Sequence, residues 1–114
     1  MAETHEQQAF INYCDWKGYR EKYVIAAVPN QRKVNIATGL RFKREGVLAG
    51  MPDVFVAVPR GNVPGLWFEF KFGKNKCSPE QLRVHKLLRS AGYTVVVVWS
   101  SEEAINALER YLNG

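Results

Sequence analysis

The sequence predicts an α/β fold with a mixed central β-sheet flanked by helices, in the order α-β-α-β-β-α-β-α. Three observations lead there. Apolar runs rich in β-branched and aromatic residues, at 23–28, 53–58, 66–72 and 93–99, have strand length and are bounded by Pro, Gly or Asn. The segments between them carry helical apolar spacing or helix-start residues. The composition, 46% hydrophobic and 24% charged over 114 residues, suits one globular domain spanning 1–114 that folds without metal or disulfide staples. That excludes a fibrous repeat, a multidomain enzyme and a disulfide- or zinc-dependent scaffold.

The first helix is expected from Glu3 to about Lys17, because Phe10, Ile11, Tyr13, Cys14 and Trp16 recur near helical spacing. Thr4 is a candidate cap at its start and Gly18 a stop. Residues 23–28 read as a short buried strand ended by Pro29-Asn30. A basic stretch follows, its second half (residues 40–48) helical between Gly39 and Gly50. Residues 53–58 and 66–72 form a hairpin around a Gly- and Pro-rich loop. Ser78, Pro79 and Gln81 fit the N-cap, N1 and N3 positions of a helix ending near Gly92. Residues 93–99 read as a fully buried central strand, and Ser100 with Glu103 opens a final helix to about Leu112.

Sixteen Lys and Arg against eleven Asp and Glu leave a net charge of +5, which favours a polyanionic partner. Cys14 and Cys77 form no CxxC pair and, with His5 and His85, no zinc spacing, so reduced thiols are expected. The N-terminal residues have neither the basic flank nor the apolar run of a secretory leader, and the longest apolar run is too short to span a bilayer. A soluble cytoplasmic protein is the expectation.

Asp53, Glu69 and Lys71 carry the chemistry. With the hairpin turn centred near Asn62, position 53 falls opposite 71. Glu69 and Lys71, two apart, leave one face of their strand, and Asp53 leaves it too. Two converging carboxylates suit a hard cation such as Mg²⁺ or Mn²⁺, and a neighbouring ammonium can position water or balance phosphate charge. The set suits metal-assisted phosphodiester hydrolysis. The competing reading has Asp53 capping the turn after Pro52 and the other two on a solvated face.

Pro52-Asp53, a hairpin, and Glu69-Phe70-Lys71 resemble the PD-(D/E)xK signature of restriction-endonuclease-like nucleases. The wider pattern is similar to the VRR-NUC (virus-type replication-repair nuclease) domain, in its stand-alone phage and bacterial form. It comprises Pro29-Asn30, Gly46, Gly50, Pro52-Asp53, Pro59-Arg60-Gly61, Glu69-Phe70-Lys71, Ser78, Gln81 and Gly92-Tyr93.

The resemblance implies a restriction-endonuclease-like fold. It also implies a metal held by Asp53, Glu69 and the Phe70 backbone carbonyl, with Lys71 attending the nucleophilic water. Gln81 would lie beside the site, a role that coexists with its place in a capping box. An acidic residue of the first helix, Glu3 or Glu6, would approach the metal. Glu3 fits the family's Glu-x-x-x-Gln spacing better, although a helix-dipole role serves either. The resemblance further implies a homodimer acting on branched DNA such as a Holliday junction.

Basic residues flank the triad in sequence, and Arg41, Lys43, Arg44, Lys74 and Lys76 are the candidate phosphate contacts. His85 is read as a surface or packing residue. Three alternatives stay open: a flap or duplex-end nuclease, a non-cleaving nucleic-acid-binding module, and an interaction protein whose interface uses Trp16, Trp67, Trp99, Tyr13 and Tyr111. For the last, packing in the core is the cheaper account of those aromatics.

Overall fold

A computed structural model of the chain describes residues 2–29 and 35–114, apart from the side chains of 2–4. Asn30 and the Glu3 side chain, both named from sequence, lie outside the described residues, as do Arg32 and Lys33 of the basic stretch. The elements are α1 (Ala2–Trp16), α2 (Tyr19–Lys22), β1 (Ile25–Ala27), α3 (Ile36–Arg44), β2 (Val54–Val56), β3 (Leu66–Phe70), α4 (Pro79–Ser90), β4 (Thr94–Val98) and α5 (Ser101–Asn113). The sheet runs β1-β2-β3-β4, antiparallel across its first two pairings and parallel between β3 and β4. It is the mixed sheet that the apolar runs predict.

Alternation along β2 and β3 divides their side chains between two faces. Val54, Val56, Leu66, Phe68 and Phe70 point into a core closed by Phe10 and Cys14 of α1 and by Ala104 and Leu108 of α5. Phe10 meets Phe68 nearly edge-on, with ring centroids 5.0 Å apart. The opposite face carries Phe55 stacked on Trp67 at 4.4 Å, with Tyr93 edge-on to both. There α4 packs against β4 and buries Val84 and His85. Cys14 and Cys77 are free thiols, and burial pushes the Cys14 thiol up to about 12.

Several sequence expectations are corrected. The first helix begins at Ala2, which places Thr4 inside it rather than at its cap. Gly18 does end it, in the left-handed region at φ 75°, and the chain then forms the short α2 that apolar periodicity could not signal in four residues. Helix α3 begins ahead of the expected start because Asn35 Oδ1 accepts the Thr38 N–H at 2.8 Å, a cap overlooked in a polar stretch. Strand β4 lies at the sheet edge and is only partly buried; the central, wholly buried strand is β3. Helices α4 and α5 both pack on β4, which accounts for its unbroken valines without a second paired strand. Trp16 and Trp99 are 79% and 46% exposed, so of the three tryptophans only Trp67 belongs to the interior.

Candidate active site

Asp53, Glu69 and Lys71 share one face, through a register different from the one expected. Val54 pairs with Phe68 and Val56 with Leu66, so continuing the pairing sets Asp53 against Glu69, not Lys71. At the tip, Arg60 and Val63 exchange backbone hydrogen bonds of 2.9 Å around Gly61 and Asn62. The arm leading into that turn carries one residue more than the arm leaving it, which a symmetric count from Asn62 misses. The turn centre, between Gly61 and Asn62 rather than on Asn62, adds one position to the one from the uneven arms; the total shift of two keeps side-chain parity, so the three residues still converge.

The β2–β3 ladder ends at Asp53. Its N–H donates to the Phe68 carbonyl at 2.9 Å, and its Oδ2 accepts the Phe70 N–H at 2.7 Å. The carboxylate thus takes over the donor of Phe70 where β2 stops pairing. On the other side, the Asp53 carbonyl accepts the Val28 N–H at 2.8 Å. Asp53 is 8% exposed, Lys71 5% and Glu69 not at all.

Helix α4 supplies the opposite wall. Ser78 Oγ accepts the Gln81 N–H at 3.1 Å, and Gln81 Oε1 accepts the Ser78 N–H at 2.8 Å, the reciprocal capping box that the sequence predicts. The same Gln81 Oε1 also accepts from Lys71 Nζ at 2.7 Å, while Gln81 Nε2 donates to Glu69 Oε2 at 3.2 Å. Capping and site contact therefore coexist in one side chain. Lys71 Nζ stands 3.8 Å from Glu69 Oε2.

His85, one turn beyond Gln81, brings Nε2 to 3.0 Å from Glu69 Oε1. A carboxylate can only accept, so the neutral ring carries its proton on Nε2 in this contact. Burial foremost, with the charges of Arg89 and Lys71, lowers the His85 pKa below its usual value and favours that neutral form. His85 was not assigned to the site from sequence. The available signal was its spacing: residues 81 and 85 are four apart in one helix and share a face.

The family model for the VRR-NUC domain matches residues 1–102. The chain belongs to the VRR-NUC family. A solved structure titled as a VRR_NUC domain protein is 27% identical, covers 98% of this chain and 88% of its own, and superposes with a TM-score of 0.80. A second, titled as a VRR_NUC domain, is 22% identical over 93% of this chain and 97% of its own, with a TM-score of 0.57; it shares the fold. No curated protein matches the chain. VRR-NUC is a nuclease domain family, and the mixed sheet flanked by helices is its nuclease-type fold. No described helix is long and apolar enough to cross a membrane.

Within this VRR-NUC domain the remaining predicted residues fall in separate places. Glu6, one of the two acidic candidates of α1, has its Oε1 accepting the Ser101 N–H at 2.6 Å, so it caps α5 and ties it to α1. Arg41, Lys43 and Arg44 are exposed in the last turn of α3, with Arg41 3.8 Å from Glu45. Lys74 and Lys76 are exposed in the segment joining β3 to α4. Gly50 holds the chain after α3 against the site: a Cβ there would sit 2.5 Å from the Glu80 carbonyl oxygen, directly before Gln81.

The donor set can be tested against a metal. Among the described residues no group of three or more His, Cys, Asp or Glu side chains is placed to hold one. Asp53 and Glu69 offer two carboxylates, with main-chain Phe70 adjoining both. Oxygen donors this few fit a hard cation that keeps several waters, as Mg²⁺ does, better than zinc with its nitrogen and sulfur ligands.

Proposed function

We propose that the chain is a Mg²⁺- or Mn²⁺-dependent DNA endonuclease, a single domain spanning 1–114 that hydrolyses phosphodiester bonds, with branched DNA such as a Holliday junction as its preferred substrate. The observation that carries this is the convergence of Asp53, Glu69 and Lys71 at the end of the β2–β3 ladder, with Gln81 bonded to both Lys71 and Glu69.

Asp53, Glu69 and the Phe70 carbonyl are the residues that would hold the metal. Bound there, it would acidify water and offset charge on the phosphate. Lys71, held through Nζ by Gln81, positions the attacking water and balances the phosphate charge. Gln81 and His85 each occupy one oxygen of Glu69 and so fix its carboxylate plane. Glu3 is the first-helix acidic residue in this reading, since Glu6 is committed to α5.

Arg41, Lys43, Arg44, Lys74 and Lys76 supply phosphate contacts that carry no sequence information. The active species is a homodimer, whose two sites would face two strands of a junction. Helix α3 supports this: it buries no residue, and Ile36 and Leu40 are 84% and 55% exposed. The protein acts on DNA in the cytoplasm of a bacterial or phage-infected cell.

The deciding experiment is cleavage of labelled four-way junction, flap and linear duplex DNA with Mg²⁺, Mn²⁺ or EDTA, using wild type, Asp53→Ala and Lys71→Ala. Metal-dependent junction cutting is expected, abolished in both variants, with junction binding retained by Lys71→Ala. Cutting confined to flaps or duplex ends would replace the substrate. Binding without cutting under either metal would leave a nucleic-acid-binding module.

A further inference from the structure

A groove of about 400 Å³ opens beside the proposed site and shares one residue with it. It is lined by Gln7, Gln8, Ile11 and Asn12 of α1, by Ala27, Val28 and Pro29 at the end of β1, and by Asp53. On α1 the pairs 7 and 11, and 8 and 12, are each four apart, so two adjacent rows of the helix face the groove. The volume lies within the range of about 300–1,000 Å³ common to small-ligand sites.

The wall chemistry narrows the ligand. Gln7, Gln8 and Asn12 bring three carboxamides, each both donor and acceptor, the groups that pair with nucleobase edges. Ile11, Val28 and Pro29 offer apolar surface to a flat ring. Among the described lining residues the sole charge is Asp53, an anion, which disfavours a phosphate against these walls. A phosphate nearby falls instead to the Lys71 ammonium, the cation beside Asp53 and Glu69.

Resting on the nuclease reading, we infer that this groove seats an unpaired nucleobase next to the phosphodiester cut at Asp53. A paired base hides its hydrogen-bonding edge in the duplex and its faces in the stack, so it must leave both to enter. Unpaired nucleotides at a branch point or gap meet that condition at the lowest cost. The groove would then make the enzyme selective for DNA in which a base beside the cut is unpaired or, as at a branch point, readily unpaired.

The test compares gapped duplexes whose unpaired nucleotides either carry bases or are abasic. Affinity is read in EDTA by fluorescence anisotropy, for wild type and Gln8→Ala/Asn12→Ala. Wild type should prefer the base-bearing gap on the order of tenfold. The double variant, altered at two exposed positions, should bring that ratio close to one. Equal wild-type affinity for the two gaps overturns the proposal without any substitution, and an undiminished ratio in the double variant overturns it as well. Wild-type cleavage of the base-bearing gap with Mg²⁺ separates the two readings. Cutting without a base preference removes the seat and keeps the nuclease; a base preference without cutting keeps the seat and removes the nuclease.

Discussion

His85 Nε2 lies 3.0 Å from Glu69 Oε1, and both side chains are about 1% exposed. A fully buried carboxylate must have its oxygens satisfied, and His85 meets one of them from the helix packed over its strand. His85→Ala should slow cleavage about 10–100-fold and raise the metal concentration needed, because Glu69 loses a group that orients it. The same change should lower folding stability by about 1–3 kcal/mol through the partner left behind. His85→Gln, which keeps an N–H donor, should recover part of both. Cleavage rates across a metal titration, with urea unfolding, check this; an unchanged metal requirement in His85→Ala would remove the orienting role.

Gln81 performs three hydrogen-bonding tasks with one amide. Gln81→Glu keeps the acceptor for Ser78 N–H and Lys71 Nζ but cannot donate to Glu69 and adds a second negative charge beside it. Cleavage should therefore fall while helix α4 stays capped. Gln81→Ala keeps the Ser78 Oγ cap on its own N–H but loses the acceptor for the Ser78 N–H as well, at a cost of about 1 kcal/mol. Equal stability of the two variants in chemical denaturation would contradict this division of labour.

Gly46 and Gly50 have nearly the same backbone conformation, φ 93° and 94°, in different surroundings. A Cβ at Gly46 meets nothing within 4 Å, whereas one at Gly50 lies 2.5 Å from the Glu80 carbonyl oxygen. Gly46→Ala should cost about 1 kcal/mol, the left-handed penalty alone. Gly50→Ala should cost more and also reduce cleavage, since the displaced neighbour is the first turn of α4, which carries Gln81. Thermal melts of the two variants side by side measure the difference.

Glu109 joins α5 to the first helices, accepting from Tyr13 Oη at 2.5 Å and from Tyr19 Oη at 2.9 Å. The Tyr13 hydrogen bond foremost holds the Glu109 carboxyl below its ordinary value of 4.5, and the same bond pushes the Tyr13 hydroxyl up to about 12. For Glu109, protons bind the unfolded chain first, so its contribution is present above about pH 4.5 and is lost as pH falls through the native value. For Tyr13 the sign reverses: its contribution holds below pH 10 and is lost as pH rises towards 12. Glu109→Ala should flatten both limbs of stability against pH, which denaturation at pH 3, 7 and 11 would reveal.

Much of this domain is legible in the chain. The four strands, the capping box of Ser78 and Gln81, the stop at Gly18 and the shared face of Glu69 and Lys71 depend on neighbours within a few positions, where periodicity and cap chemistry act. The VRR-NUC pattern was readable for the same reason, as short motifs in a fixed order. Other features depended on partners distant in sequence. The uneven arms of the hairpin set Asp53 against Glu69, and only the packing of α4 over the sheet brought His85 to Glu69. Glu6 looked equivalent to Glu3 until α5 arrived at its carboxylate. Local pattern fixes which face a residue occupies, because parity and helical spacing are properties of the backbone. Which group stands across from that face is decided only when separate elements pack, and here that assembly completes the candidate site.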